Sequence, residues 1–139
     1  MEFQAKEKYS VSDLISIMAL LRGEGGCPWD REQDHLTIRK NLIEEAYEVV
    51  EAIDAGDPEM LREELGDLLL QVVFHSRISE EEGDFSIEEV ADGICRKLIH
   101  RHPHIFSDVV VKDSGEVLEN WDAIKKQEKG QKTASDTLH

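Results

Sequence analysis

Two short runs decide the fold: Glu44-Glu45-Ala46-Tyr47-Glu48 and Glu64-Leu65-Gly66-Asp67, separated by the link Ala55-Gly56-Asp57-Pro58. Both runs read as helix, and a link this short makes the two helices antiparallel neighbours. Glu48 lies about eight residues before Gly56 and Glu64 about eight after it; Glu45 and Asp67 are each about eleven away. At ~1.5 Å rise per residue the members of each pair sit at matching heights, ~12 and ~16 Å from the turn. Spacings of three and four keep Glu44, Glu45 and Glu48 on one helix face, and Glu64 with Asp67 on another. Brought face to face, these groups form a dense carboxylate cluster that repels itself unless a cation sits in it. An all-oxygen donor set selects a hard ion, Mg2+ with Mn2+ as a substitute, before zinc.

The remaining helices follow from apolar periodicity and capping signals. Ser10 with Asp13 opens a first helix carrying Leu14, Ile17, Met18 and Leu21, and Gly23, Gly25 and Gly26 end it. The next segment, Gly26-Cys27-Pro28-Trp29-Asp30, reads as a loop, with Trp29 either plugging the core or walling a base. A second helix spans about Leu36 to Ala55; its apolar stripe is Leu42, Ala46, Val49, Val50 and Ile53, with Glu44, Glu45 and Glu48 on the opposite side. Asp57 caps the third helix, Pro58 takes its first position, and the helix runs to about Glu81 before Gly83. This helix is apolar on nearly every side, so other elements must surround it and its carboxylates need a cation, a donor or a proton. The same reasoning argues for dimerisation, because a two-layer monomer does not cover such a helix.

Ser86 with Glu89 opens a fourth helix whose stripe is Val90, Ile94 and Leu98; Lys97 and Arg101 share a face near its end. Those two cations either suit the helix dipole or bind phosphate oxygens. His100, His102 and His104 alternate around Pro103 and read as loop and capping residues rather than zinc ligands. Val109–Val111 suggests a short extended piece, and Asp113 or Ser114 starts a last helix with Val117, Trp121 and Ile124 on its apolar edge. The expected organisation is a polar arm over 1–9, one domain over 10–129 and a disordered tail over 130–139.

The chain carries 31 acidic against 16 basic residues, a net charge of -15, which argues against nucleic acid or an anionic membrane as partner. Cys27 and Cys95 form no CxxC and no disulfide framework, and no signal peptide or long apolar run is present, so the expected location is the cytoplasm.

These residues resemble the MazG family of nucleoside triphosphate pyrophosphohydrolases. The likeness runs through Gly26-Cys27-Pro28-Trp29-Asp30, Leu42-Ile43-Glu44-Glu45-Ala46-Tyr47-Glu48-Val49, Glu63-Glu64-Leu65-Gly66-Asp67-Leu68-Leu69 and Arg101-His102-Pro103-His104-Ile105-Phe106. It implies an all-α fold with a four-helix-bundle-like core completed by dimerisation, plus a C-terminal helix. It implies magnesium-dependent hydrolysis of nucleoside triphosphates to monophosphate and pyrophosphate, as in cleansing of a nucleotide pool. By that resemblance Glu45, Glu48, Glu64 and Asp67 are metal ligands, and Glu44 is an assisting acid. Asn41, Lys97, Arg101, Trp121 and Lys125 contact substrate. Asp34-His35 departs from the pattern, since relatives usually carry a small hydroxyl residue before the histidine. Many relatives also carry two such domains in tandem, so a natural single-domain form and one domain of a tandem both stay open. The alternatives are a catalytically weak helical metal-binding or interaction module and a sister activity on dUTP or phosphoribosyl-ATP. A ferritin-like di-iron protein is a further rival; it requires ExxH, whereas this chain has ExxD, with His75 too far along to complete the motif.

Overall fold

In the computed structural model, which describes residues 3–137 with side chains described through residue 130, every regular element is helical. The order is α1 (Val11–Arg22), α2 (Pro28–Glu32), α3 (Arg39–Ala55), α4 (Pro58–Glu81), α5 (Ile87–Arg101), α6 (Pro103–Phe106) and α7 (Ser114–Thr137). The chain divides into two compact units, Met1–Glu88 and Glu89–His139.

In the first unit α4 is the central rod, packing against α3 on one side and α1 on another. Its start is set by Asp57, whose carboxylate accepts from Glu59 N and Met60 N at 3.1 and 3.2 Å, with Pro58 taking the first helical position. Gly56 at φ 65° ends α3 and reverses the chain, a conformation a side chain would strain. At the start of α1, Ser10 N donates to Asp13 at 2.8 Å and Asp13 N donates to Ser10 Oγ at 3.3 Å, a reciprocal cap. The core is Met18 of α1, Ile38 before α3, and Val73, Phe74 and Ile78 of α4, with Leu14, Ile15 and Leu70 packed around it.

In this unit three expectations need correction. The segment Gly26–Asp30 is not all loop: Pro28 starts the short helix α2, as proline at a first helical position favours. Trp29 in it is 55% exposed and meets the buried Phe74 with the ring planes at 88°, centroids 6.5 Å apart. Second, α3 begins at Arg39 rather than near Leu36. Asp34 and Thr37 form a closed turn, Asp34 N donating to Thr37 Oγ1 and Thr37 N to Asp34 Oδ1, both at 2.9 Å, which competes with helix.

The third correction is to the buried face of α3. Val49 and Ala52 are buried, but Ala46, Val50 and Ile53 are exposed. Glu45 lies in register with Val49 and Ala52, on the buried side and not opposite it. The short turn dictates which face of α3 meets α4, and that face is not the most apolar one. A second apolar surface is left open: Ile43, Tyr47, Val50 and Ile53 on α3, and Leu65, Leu69 and Val72 on α4.

In the second unit Val90, Ile94 and Leu98 of α5 are likewise exposed. The piece Val109–Val111 forms no strand. Asp113 accepts from Glu116 N at 3.1 Å and Glu116 accepts from Lys112 N at 2.7 Å, fixing the start of α7. The helix then runs past Gly130 to Thr137, where composition alone reads as a disordered tail; residues 138–139 lie outside the described residues. One glycine costs only about 1 kcal/mol in a helix, and no proline follows to stop it.

Candidate metal centre

The turn at Gly56-Asp57 sets α3 and α4 side by side, so matching heights on the two helices become matching positions in space. Glu45 and Glu48 of α3 and Glu64 and Asp67 of α4 each offer a carboxylate oxygen, and these four atoms all lie within 4.8 Å of one another. This is the juxtaposition the spacing of the two runs predicts.

The electrostatics of the cluster are those of a site short of positive charge. Glu64 is pushed up to about 7, first by hydrogen bonding with Glu48, then by burial and the charges of Glu48, Asp67 and Glu45. Burial pushes Glu45 up as well, aided by the charges of Glu48 and Asp67. One oxygen on each of Glu45 and Glu64 is buried with no hydrogen-bond partner. Buried carboxylate oxygens without donors are costly, and a bound cation is the group that satisfies several of them together. The donor set fits the expected ion: four carboxylates and no nitrogen or sulfur suit a hard divalent cation.

Glu44 is not brought into the cluster. It is exposed and pairs with Lys40 one turn earlier, at 3.6 Å. Asn41, one turn before Glu45, shares the face of α3 that carries the cluster.

The other sequence-predicted residues belong to the second unit. Arg101 is engaged by Glu128 of α7, at 3.0 Å, and His100 Nε2 stands 3.8 Å from the same carboxylate. Hydrogen bonding from Arg101, with charge from Arg101, His100 and Lys97, holds the Glu128 carboxyl below its usual range. Sequence reading missed Glu128; only its place on the same helix as Trp121 and Lys125 hinted at it. Trp121 is half-buried, sits edge-on to His102 with centroids 5.0 Å apart, and has a buried Nε1 without a partner. It lines an open hollow of about 410 Å³ with Val111, Val117 and Leu118. Lys125 lies one turn further along α7, exposed. His102 occupies the N-cap position of α6 without a side-chain cap there; its Nδ1 lies 2.6 Å from the Leu98 carbonyl near the end of α5.

A further group went unread in the sequence. The side chain of Arg22, at the end of α1, is buried; it forks onto Glu81 at 2.9 and 3.0 Å, donates to the Asp30 and Gln33 carbonyls, and lies over the Phe74 ring. It thereby ties α1, α2 and α4 together. Nothing but an arginine before a glycine run marked it.

Fold and site together define an all-helical protein with an acidic, divalent-cation type of cage on an antiparallel helix pair. The chain belongs to the MazG family: the profile of the MazG nucleotide pyrophosphohydrolase domain matches residues 33–106. It is 50% identical over 123 residues to the nucleoside triphosphate pyrophosphohydrolase/pyrophosphatase MazG of Thermotoga maritima, covering 88% of this chain and 47% of that protein. It is 46% identical over 129 residues to the nucleoside triphosphate pyrophosphohydrolase of Escherichia coli, covering 92% and 49%. The uncharacterized protein YabN of Bacillus subtilis is 49% identical over 127 residues, 91% of this chain but 26% of that one. The chain thus spans about half or less of the length of these relatives. Among solved structures, a mazG-related protein from Thermotoga maritima superposes with a TM-score of 0.69 at 26% identity, covering 83% of this chain and 98% of that one. Among the described residues no helix is long and apolar enough to cross a membrane.

Proposed function

We propose that this protein is a magnesium-dependent nucleoside triphosphate pyrophosphohydrolase, hydrolysing the α–β anhydride to a nucleoside monophosphate and pyrophosphate. The observation that carries the reading is the convergence of Glu45, Glu48, Glu64 and Asp67 within 4.8 Å, in a chain of the MazG family. Relatives that share about half its residues bear the name of that activity.

Glu45, Glu48, Glu64 and Asp67 would hold the ion. A divalent cation there would polarise phosphate oxygens and make a bound water more acidic. Lys97 and Arg101 would offset charge on the departing pyrophosphate, Arg101 exchanging its partner Glu128 for phosphate oxygens. Trp121 offers an aromatic face and an unpaired Nε1–H to a nucleobase, with Lys125 beside it and Asn41 on the metal-bearing face of α3. Glu44, paired with Lys40, is left a supporting charge rather than a ligand's place. Water adds to phosphorus and the anhydride oxygen leaves with pyrophosphate, so no covalent enzyme intermediate is required.

The test is pyrophosphate release from a panel of standard and damaged nucleoside triphosphates with Mg2+. Glu48→Ala and Asp67→Ala should each lower turnover at least a hundredfold while leaving helical circular dichroism unchanged. Near-normal turnover in either variant would sink the assignment.

The open apolar surface of α3 and α4 favours a homo-oligomer, at least a dimer. Val50→Asp, on that exposed face, should shift the protein toward monomer in analytical ultracentrifugation. An unchanged sedimentation coefficient would place the interface elsewhere.

A further inference from the structure

The α3–α4 pair is closed at one end by the Gly56-Asp57 turn. At the other end, His35, just before α3, meets His75 of α4. Their Nδ1 atoms are 2.8 Å apart, and the ring planes are within 2° of parallel, with centroids 5.1 Å apart. His35 Nε2 reaches Ser79 Oγ at 3.1 Å and stands 3.8 Å from a Glu82 oxygen. His75 Nε2 is buried with no partner. The four carboxylates lie along the pair between turn and contact: Glu45 and Glu48 follow His35 in the chain, and Glu64 and Asp67 precede His75.

Two imidazole nitrogens at this distance need one proton between them. One arrangement places every imidazole proton on an acceptor. His75 donates from Nδ1 to His35 Nδ1, and His35 donates from Nε2 to Ser79 Oγ. The buried His75 Nε2 is then a bare lone pair, which is cheaper to leave unpaired than an N–H. Any added proton spoils this state. On His75 it must sit at the buried Nε2; on His35 it sets two N–H groups face to face. The surrounding charges do little to offset this. Arg22 of α1 and Arg77 of α4 are both engaged by Glu81, and the Asp34 carboxylate is taken by Thr37 N. Glu82 faces His35 only. Burial and the neighbouring His35 also hold His75 below its usual range.

We propose that His35 and His75 form a proton-dependent latch, closed when both rings are neutral, that fixes the open end of the α3–α4 pair and so positions the four carboxylates. Both histidines are positioning residues, and this role rests on reading the carboxylate cluster as a divalent-cation site. On acidification the latch opens and His35 parts from His75 and Ser79, while Arg22 still ties α2 to α4 and Ile38 stays in the core.

Two measurements on the full chain test this separately. The first needs no metal: imidazole nitrogen spectra of 15N-histidine-labelled protein, with signals assigned by His35→Ala and His75→Ala. At pH 7.5 the expected result is the uncommon Nδ1–H tautomer on His75 and the Nε2–H tautomer on His35. Nε2–H tautomers on both rings, or a His75 that titrates like a free histidine, would overturn the latch. The second is Mn2+ affinity by calorimetry at pH 7.5 and 5.5. His35→Ala and His75→Ala should bind roughly fivefold more weakly at pH 7.5, the worth of one hydrogen bond. His75→Asn, whose amide can donate or accept at the Nδ1 position without titrating, should stay within about twofold of wild type at pH 7.5 and lose less affinity on acidification. Alanine variants that match wild type at both pH values would remove the positioning role. A wild-type protein that binds no Mn2+ at pH 7.5 would refute the metal reading and the positioning role with it, and the tautomers alone would then decide the latch.

Discussion

Glu64→Gln should stabilise the metal-free protein and weaken the protein in the presence of a divalent cation, a reversal that a shared cation cage predicts and an ordinary acidic surface does not. In the metal-free protein Glu64 is held at about 7 instead of 4.5. A carboxyl raised on folding costs stability once it ionises. The cost is therefore in force above about pH 7 and fades as the pH falls toward 4.5. In chelator, wild type should melt higher at pH 6 than at pH 8, and the glutamine variant should show a flatter profile and a higher melting temperature at pH 8.

Binding reverses the preference, because the proton must leave before a cation can take the oxygens. The logarithm of affinity should climb by about one per pH unit as the pH rises toward about 7, and level off above it. From pH 5 to pH 7 that is a roughly fiftyfold gain from Glu64 alone, a contribution lost in Glu64→Gln. At a hundred times its dissociation constant a bound ion stabilises by about 2.7 kcal/mol. For a domain of this size that raises the melting temperature by about 8 °C. Thermal denaturation with Mg2+ or Mn2+ at pH 6, 7 and 8, paired with calorimetric titration, measures both quantities. Equal cation-induced shifts in wild type and variant would refute the reasoning, as would a metal-free wild type that melts lower at pH 6 than at pH 8.

Other outcomes follow from single contacts. Glu44→Ala, outside the cluster and paired only with Lys40, should reduce turnover less than about tenfold; a loss as large as that of Glu48→Ala would return Glu44 to the site. Arg22→Leu leaves Glu81 and two carbonyls without their buried donor and should cost about 3 kcal/mol in urea denaturation. Arg22 also holds the Glu81 carboxyl below its usual 4.5, so this stabilisation is present above that pH and is lost as the pH falls through the lowered value. The leucine variant should lack that part of the acid sensitivity, and an unchanged acid profile would count against the contact. Glu128→Gln should release Arg101 and tighten pyrophosphate binding at least threefold by calorimetry; no change would mean that Arg101 does not serve phosphate.

The legible parts of the sequence were those governed by local rules. Asp57-Pro58, Ser10 with Asp13, and Asp113 with Glu116 are short-range caps, and each marks a helix start found in the structure. The carboxylate cluster was readable for the same reason. A short link and a constant rise convert two sequence offsets into one spatial position, with no knowledge of packing needed. What the sequence hid depends on long-range partners. His35 and His75 are 40 residues apart, and Arg22 and Glu81 are 59 apart, and neither pair follows a periodicity. Short helices such as α2 blur into loops, since one turn carries too few residues to show a period.

The misread face of α3 carries more weight than the others. Ranking the faces of that helix by apolarity selects Ala46, Val50 and Ile53, which the structure leaves exposed, and passes over the face with Glu45, which it buries. A monomer governed by hydrophobic burial alone would have turned α3 the other way. Burying two unsatisfied carboxylate oxygens while exposing Tyr47, Val50 and Ile53 is a doubly unfavourable choice for an isolated, metal-free chain. It becomes favourable only if a cation enters on one side of the helix and another surface covers the other side. The orientation of α3 is thus a joint argument for both proposals, and the two should be linked: cation binding should strengthen self-association, because each fixes the same helix in the same rotation.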